Sequence, residues 1–105
     1  MRVESDKIMA AIDRAGHNYL TPEEIEVHDE YLGQGYGIPT PASLAAIRQV
    51  AQTEGIFLDP VYTSKGMSGL VGLSKQGRFK PTDTVVFVHT GGVPALFAYQ
   101  PEVVK

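Results

Sequence analysis

The sequence predicts an α/β fold in one small domain spanning residues 1–105, with a short parallel sheet flanked by helices. Three observations lead there. Apolar residues recur at helical spacing in several separate stretches, including Leu44, Ile47, Val50 and Ala51. The pairs Thr21-Pro22, Thr40-Pro41 and Asp59-Pro60 each place a capping side chain before a proline, the device that opens helices. Residues 84–88, Thr-Val-Val-Phe-Val, form an unbroken β-branched and aromatic run, the composition of a strand covered on both faces in a parallel sheet.

Bulk composition narrows the function classes. A chain of 105 residues allows one modest core. Net charge is −3, and no Lys or Arg has a basic neighbour in sequence, which argues against a nucleic-acid surface. Cysteine is absent, so disulfides, thiol nucleophiles and cysteine metal sites are excluded. No apolar run approaches the ~18 residues of a membrane span, and no signal peptide opens the chain. A cytoplasmic protein without membrane attachment is expected. His17, His28 and His89 lack ligand spacing, so no metal site is expected.

The elements follow in order. Ser5 caps a first helix with Ile8, Ile12 and Ala15 on one stripe, and Gly16 ends it. Thr21-Pro22-Glu23-Glu24 opens a helical turn that feeds a short strand through residues 25–31, where apolar and polar residues alternate. Residues 32–39 hold three glycines and a proline, hence a loop, with Tyr36 as its one large polar side chain. Thr40 caps the next helix and Gly55 lies just past its end.

The helix announced by Asp59-Pro60 is the pivot of the chain. Tyr62 and Thr63 fall in its first turn, where backbone N–H groups are free and point outward. Gly66, Gly69 and Gly72 recur every third residue behind them. Three helical glycines cost about 1 kcal/mol each relative to alanine, roughly 3 kcal/mol in all. Close approach of another element to that face would offset the cost. After a polar connection, the 84–88 strand runs into His89-Thr90-Gly91-Gly92, and Val93-Pro94-Ala95-Leu96-Phe97 begins a last helix. Lys65 is expected to be structural.

Taken together, Tyr36-Gly37-Ile38-Pro39, Asp59-Pro60-Val61-Tyr62-Thr63-Ser64-Lys65-Gly66-Met67 and His89-Thr90-Gly91-Gly92-Val93-Pro94-Ala95 resemble one family. It is the 1-aminocyclopropane-1-carboxylate deaminase and D-cysteine desulfhydrase family, pyridoxal-phosphate enzymes of the tryptophan synthase β-like fold. The spacings fit as well, with 26 residues from Tyr36 to Tyr62 and 27 from Tyr62 to His89. The resemblance runs from about Ser5 to Tyr99 and is to the C-terminal part of the family's longer chains. It implies that Tyr36 and Tyr62 are the catalytic tyrosines flanking the substrate. Thr63, Thr90, Gly91 and Gly92 would contact the pyridoxal phosphate.

Thr63 and Thr90 stand where the ring-opening deaminases carry glutamate and leucine, so the resemblance implies β-elimination. D-cysteine is the expected substrate, with 1-aminocyclopropane-1-carboxylate or L-cysteate as alternatives. The family's Schiff-base lysine and phosphate loop have no counterpart motif in these residues. The chain is therefore expected to be fragment-like and inactive alone, and to associate with itself or with the missing N-terminal portion. A non-catalytic remnant or complementing subunit is the reading from another class.

Overall fold

A computed structural model of the chain describes residues 22–105. The helix expected over residues 5–16 lies outside the described residues. Two helices dominate the rest, α1 (Pro41–Glu54) and α2 (Thr63–Lys75), lying against each other. Short 3₁₀ turns at Pro22–Glu24 and Asp29–Tyr31 precede them, and two single-turn helices, α3 (Ala95–Ala98) and α4 (Gln100–Val103), close the chain.

The first of the two main helices begins as its sequence dictates. Thr40 Oγ1 accepts the Ser43 N–H at 3.0 Å, and Ser43 Oγ accepts the Thr40 N–H at 2.9 Å. This reciprocal capping box satisfies two N–H groups at the helix start and buries Ser43 completely. Gly55 ends the helix in the left-handed region at φ 66°, where its N–H reaches the Ala51 carbonyl. Ile47, Val50 and Leu58 form the buried apolar cluster. Leu44, Met67, Phe87, Leu96 and Val103 close around it. Arg48 fastens α4 to α1, its Nε donating to the Val103 carbonyl at 3.1 Å.

The glycine face of α2 is met as its sequence demands. The Tyr31 ring lies across Gly69 and Gly72, and Phe87 covers Gly66. A Cβ on Gly72 would sit 2.9 Å from both Cε1 and Cζ of Tyr31, inside contact distance. Tyr31 itself is set by the 3₁₀ turn Asp29–Tyr31, so a rigid ring and a shaved helix face fit together.

Three expectations require correction. Residues 25–31 do not form a strand: their C-terminal half is the 3₁₀ turn that aims Tyr31 at α2. The alternation there reflects ion pairing. His28 lies between Glu26 at 3.2 Å and Glu30 at 3.1 Å, and Arg78 reaches Glu26 from beyond the end of α2. Hydrogen bonds to Glu30 first, then Glu26, raise the His28 imidazole above its ordinary value. Residues 84–88 likewise join no ladder, and among the described residues there is no strand. A buried strand needs a neighbour to receive its backbone groups, and Val85, Val86 and Val88 face solvent here. The closing helix starts two residues later than its sequence promised, at Ala95, and the tail adds α4.

The fit at Gly72 generates a test. Alanine normally favours a helix by about 1 kcal/mol over glycine. Here Gly72→Ala should instead destabilise the chain by about 1–3 kcal/mol, because the Tyr31 ring must shift. In a Tyr31→Ala background the same substitution should become stabilising. Urea unfolding of the four proteins measures this; equal effects in both backgrounds would mean that Tyr31 does not enforce the glycine.

Candidate active site

Asp59 builds the corner from which α2 departs. Its Oδ2 accepts the N–H groups of Val61 and Tyr62, both at 2.8 Å. Its Oδ1 accepts the Thr63 N–H at 2.9 Å and the Thr63 hydroxyl at 2.6 Å. Thr63 Oγ1 in turn accepts the Asp59 N–H at 2.8 Å. These bonds delay the helix: residues 60–62 are a turn, and the helix begins at Thr63 rather than at Pro60. They also overturn the expectation of free N–H groups at this end, because one carboxylate takes three of them. Asp59 is 1% exposed. Burial pushes its carboxyl upward, but the hydroxyl and the N–H groups outweigh that and hold it below the ordinary carboxylate value.

The two tyrosines meet. Tyr62 stands at the cap of α2, and Tyr36 projects from the glycine loop. Their ring centroids are 5.8 Å apart, edge to face at 63°. Both are largely exposed. The Tyr36 phenol, followed by burial and the charge of Asp59, raises the Tyr62 phenol above its ordinary value. The pair borders a hollow of about 270 Å³ with Leu32, Gly35, Val61 and Lys65.

The third contributor is the turn after residues 84–88. The Gly91 N–H donates to His89 Nδ1 at 3.1 Å, so that nitrogen carries no proton. His89 Nε2–H therefore donates to the Phe57 carbonyl at 2.8 Å and ties the turn to the segment before Asp59. Gly91 and Gly92 adopt φ of 99° and 90°. At Gly92 a Cβ would stand 2.9 Å from Asp59 Cγ, so only glycine lets the turn approach the corner. Thr90 is exposed at its tip, whereas Thr63 is 3% exposed.

The structure thus joins Tyr36 to Tyr62, and joins Thr63 to Gly92 through Asp59. Sequence reasoning missed what Lys65, His89 and Tyr99 hold. It read Asp59 as a cap without seeing that Thr63, four residues on, closes the same ring of bonds. That spacing was the available signal. A larger hollow than the one beside the tyrosine pair, about 380 Å³, lies elsewhere, between α1 and the closing turns. Apolar side chains line most of it, and no acid–base group does, so it is not where chemistry would occur. Among the described residues no cluster of three His, Asp or Glu side chains gathers to hold a metal ion. No helix among them is long and apolar enough to cross a membrane.

Residues 2–91 match the model of the pyridoxal-phosphate dependent enzyme family, and the chain belongs to that family. Its fold is a portion of the tryptophan synthase β-like fold. The chain is 54% identical over 78 residues to the D-cysteine desulfhydrase of Klebsiella pneumoniae subsp. pneumoniae, and 53% identical to that of Klebsiella pneumoniae strain 342. These matches cover 74% of this chain and 24% of each relative. The chain therefore spans about a quarter of the length of the curated relatives it matches. A solved structure described as an ACC deaminase homologue superposes with a TM-score of 0.60 at 40% identity, over 67% of this chain and 21% of that one.

The residues present fit one edge of pyridoxal phosphate. Nothing lies within 4 Å of where a Gly91 Cβ would stand, which leaves room for a flat ring beside the exposed Thr90 hydroxyl. The phosphate does not fit at α2, because Asp59 has already neutralised the N–H groups that would hold an anion.

Removing the corner should be costly. Asp59→Ala leaves the buried Thr63 N–H and hydroxyl and two half-buried N–H groups without their acceptor, and should destabilise the chain by about 2–4 kcal/mol. The contribution from the lowered carboxyl is present above its ordinary pKa of 3.8 and lost as pH falls through the folded value. The gap between Asp59→Ala and the unaltered chain should therefore narrow below pH 3.8. Urea midpoints at several pH values measure both; a pH-independent gap would show that the ionised carboxylate is not the stabilising form.

Proposed function

We propose that this chain contributes the tyrosine pair and one cofactor edge to a pyridoxal-phosphate-dependent β-eliminating lyase. D-cysteine and water are converted to pyruvate, sulfide and ammonia. The observation that carries the reading is the meeting of Tyr36 and Tyr62 at 5.8 Å beside the threonine-bearing corner. The 54% identity to D-cysteine desulfhydrase supports the choice of substrate.

Pyridoxal phosphate, when bound, supplies the electron sink that makes the substrate Cα–H acidic. This chain's residues supply part of the rest: a proton donor, a wall on the substrate side and one cofactor edge. Tyr62, at the cap of α2 and facing the hollow, donates its phenol proton to the departing sulfur or the reacting carbon. Tyr36 lies against Tyr62 and closes the substrate side of the hollow. Gly91 would leave open space for the ring when the cofactor binds, and the exposed Thr90 would offer it a neutral hydroxyl. Thr63 contributes differently: its hydroxyl donates to the Asp59 carboxylate and accepts the Asp59 N–H, so it braces the corner from which Tyr62 departs. No carboxylate at these two positions faces the ring. The weaker pull on electrons suffices for a substrate with a good β leaving group.

A short parallel sheet that takes up residues 84–88, a cytoplasmic setting, and pairing with further protein belong to the same proposal. Val86, Val88 and Phe97 are 62%, 73% and 86% exposed, an apolar surface that invites either a second copy or a longer partner to cover it.

A chimaera tests the reading. The 78 aligned residues of the Klebsiella enzyme are replaced by those of this chain, and substrates are compared by kcat/KM. Elimination from D-cysteine should exceed reaction with L-cysteate and with 1-aminocyclopropane-1-carboxylate. Tyr62→Phe should lower it by about 10²–10⁴-fold. The isolated 105-residue chain should release no pyruvate. A chimaera that binds cofactor yet prefers ring opening would overturn the substrate assignment. Indifference to Tyr62→Phe would overturn the role of the pair.

A further inference from the structure

Residues 32–37, Leu-Gly-Gln-Gly-Tyr-Gly, belong to no regular element beyond the 3₁₀ turn before them. Gly33 and Gly37 lie at φ 73° and 71°, conformations that leave the backbone without a ladder. Its carbonyls must find donors elsewhere. Two side chains supply them. Lys65, in the first turn of α2, donates from Nζ to the Leu32 carbonyl at 2.6 Å and the Gly35 carbonyl at 2.9 Å. Tyr99, far along the chain, donates its hydroxyl to the Gly37 carbonyl at 2.8 Å.

The lysine is an unusual choice for a purely structural tie. It is 7% exposed, and no carboxylate among the described residues pairs with it. Burying an ammonium on neutral acceptors alone is costly, and one hydrogen-bonded neutral side chain would be cheaper. What the lysine offers is reach and short, charge-assisted bonds to two carbonyls at once. Between those two carbonyls and the one held by Tyr99 stands Tyr36. Tyr36 is 79% exposed, and its ring contact is with Tyr62, itself largely exposed, so neither ring is locked by a surrounding core. The position of Tyr36 is inherited from the loop. Tyr62 caps the same helix three residues before Lys65, so a single element presents one tyrosine and grips the support of the other.

We propose that Lys65 is a positioning residue for the tyrosine pair, clamping the 32–37 loop to α2, with Tyr99 holding the loop's far end. That the clamp serves catalysis rests on the functional reading above; the clamp itself does not, and it can be measured without cofactor.

The experiment uses the 105-residue chain with isotopically labelled tyrosine. Two signals are read by NMR: cross-peaks between the Tyr36 and Tyr62 rings, and the titration of the Tyr62 phenol. Tyr31, whose ring lies across Gly69 and Gly72 and takes no part in the pair or in either tie to the loop, is the internal control. Lys65→Met keeps the aliphatic stem and removes the donors. It should abolish the cross-peaks and return the Tyr62 titration to the ordinary phenol value of about 10. Lys65→Arg, which keeps charged donors, should restore both. A lysine that only added stability would lower the urea midpoint in Lys65→Met and leave both signals as they were, and that result overturns the proposal. Should Lys65→Met fail to fold, Tyr99→Phe decides. It removes one hydroxyl and should weaken the cross-peaks; unchanged cross-peaks overturn the clamp. Because neither signal involves cofactor or substrate, an inactive chimaera leaves the clamp standing, and a failed clamp leaves the substrate assignment standing.

Discussion

The buried carboxylate of Asp59 is the constraint on which the rest of the site depends. It turns the chain from the Leu58 core into α2, fixes the direction in which Tyr62 leaves the helix cap, and withdraws the Thr63 hydroxyl from solvent. The glycine turn at 91–92 can approach only because Gly92 presents no Cβ to it. A neutral isostere at 59 could not accept four hydrogen bonds on two oxygens with equal strength, since bonds to an ionised acceptor are roughly twice as strong. Charge, burial and backbone direction are therefore one device.

A second constraint acts on the opposite side of α2. The stripe Gly66, Gly69 and Gly72 sacrifices helix propensity so that Tyr31 and Phe87 can lie close. This joins residues 25–31 and 84–88, neither of which forms a strand, to the second of the two long helices between them. Tyr62, the glycine face and Lys65 all sit on α2 or at its cap, and the Tyr36 loop and the core cluster pack against it. The helix is in effect the spine that relates them.

Much of this was legible in the sequence, and the reason differs from place to place. The helix starting at Pro41 was readable because its capping box is local: Thr40 and Ser43 satisfy each other without help from the fold. The glycine stripe could be read as a demand for a close neighbour, but not that the neighbour would be Tyr31, since that pairing spans 38 residues or more. Residues 84–88 carry the composition of a buried strand, yet composition only states what environment a segment suits. Whether a ladder forms depends on a partner, and α2 covers only Phe87. The 25–31 alternation misled for a different reason: period two arose from Glu26, His28 and Glu30 alternating charge along a surface, not from two sheet faces. Tyr36 and Tyr62 were recognisable by motif, while Lys65 was not, because its partners are backbone carbonyls that leave no trace in side-chain identity.

The unpaired run at 84–88 also bears on how the chain behaves before it finds any partner. Phe87 lies over Gly66, and the residues on either side form a short row of exposed β-branched side chains that join no strand ladder among the described residues. Such a row is a template for strand addition, and it does not distinguish a proper sheet from another copy of itself. Soluble yield of the chain is then a race between productive docking and self-templated growth. Concentration enters that race at higher order for the second route than for folding, so slow, dilute synthesis favours the protein over its aggregate.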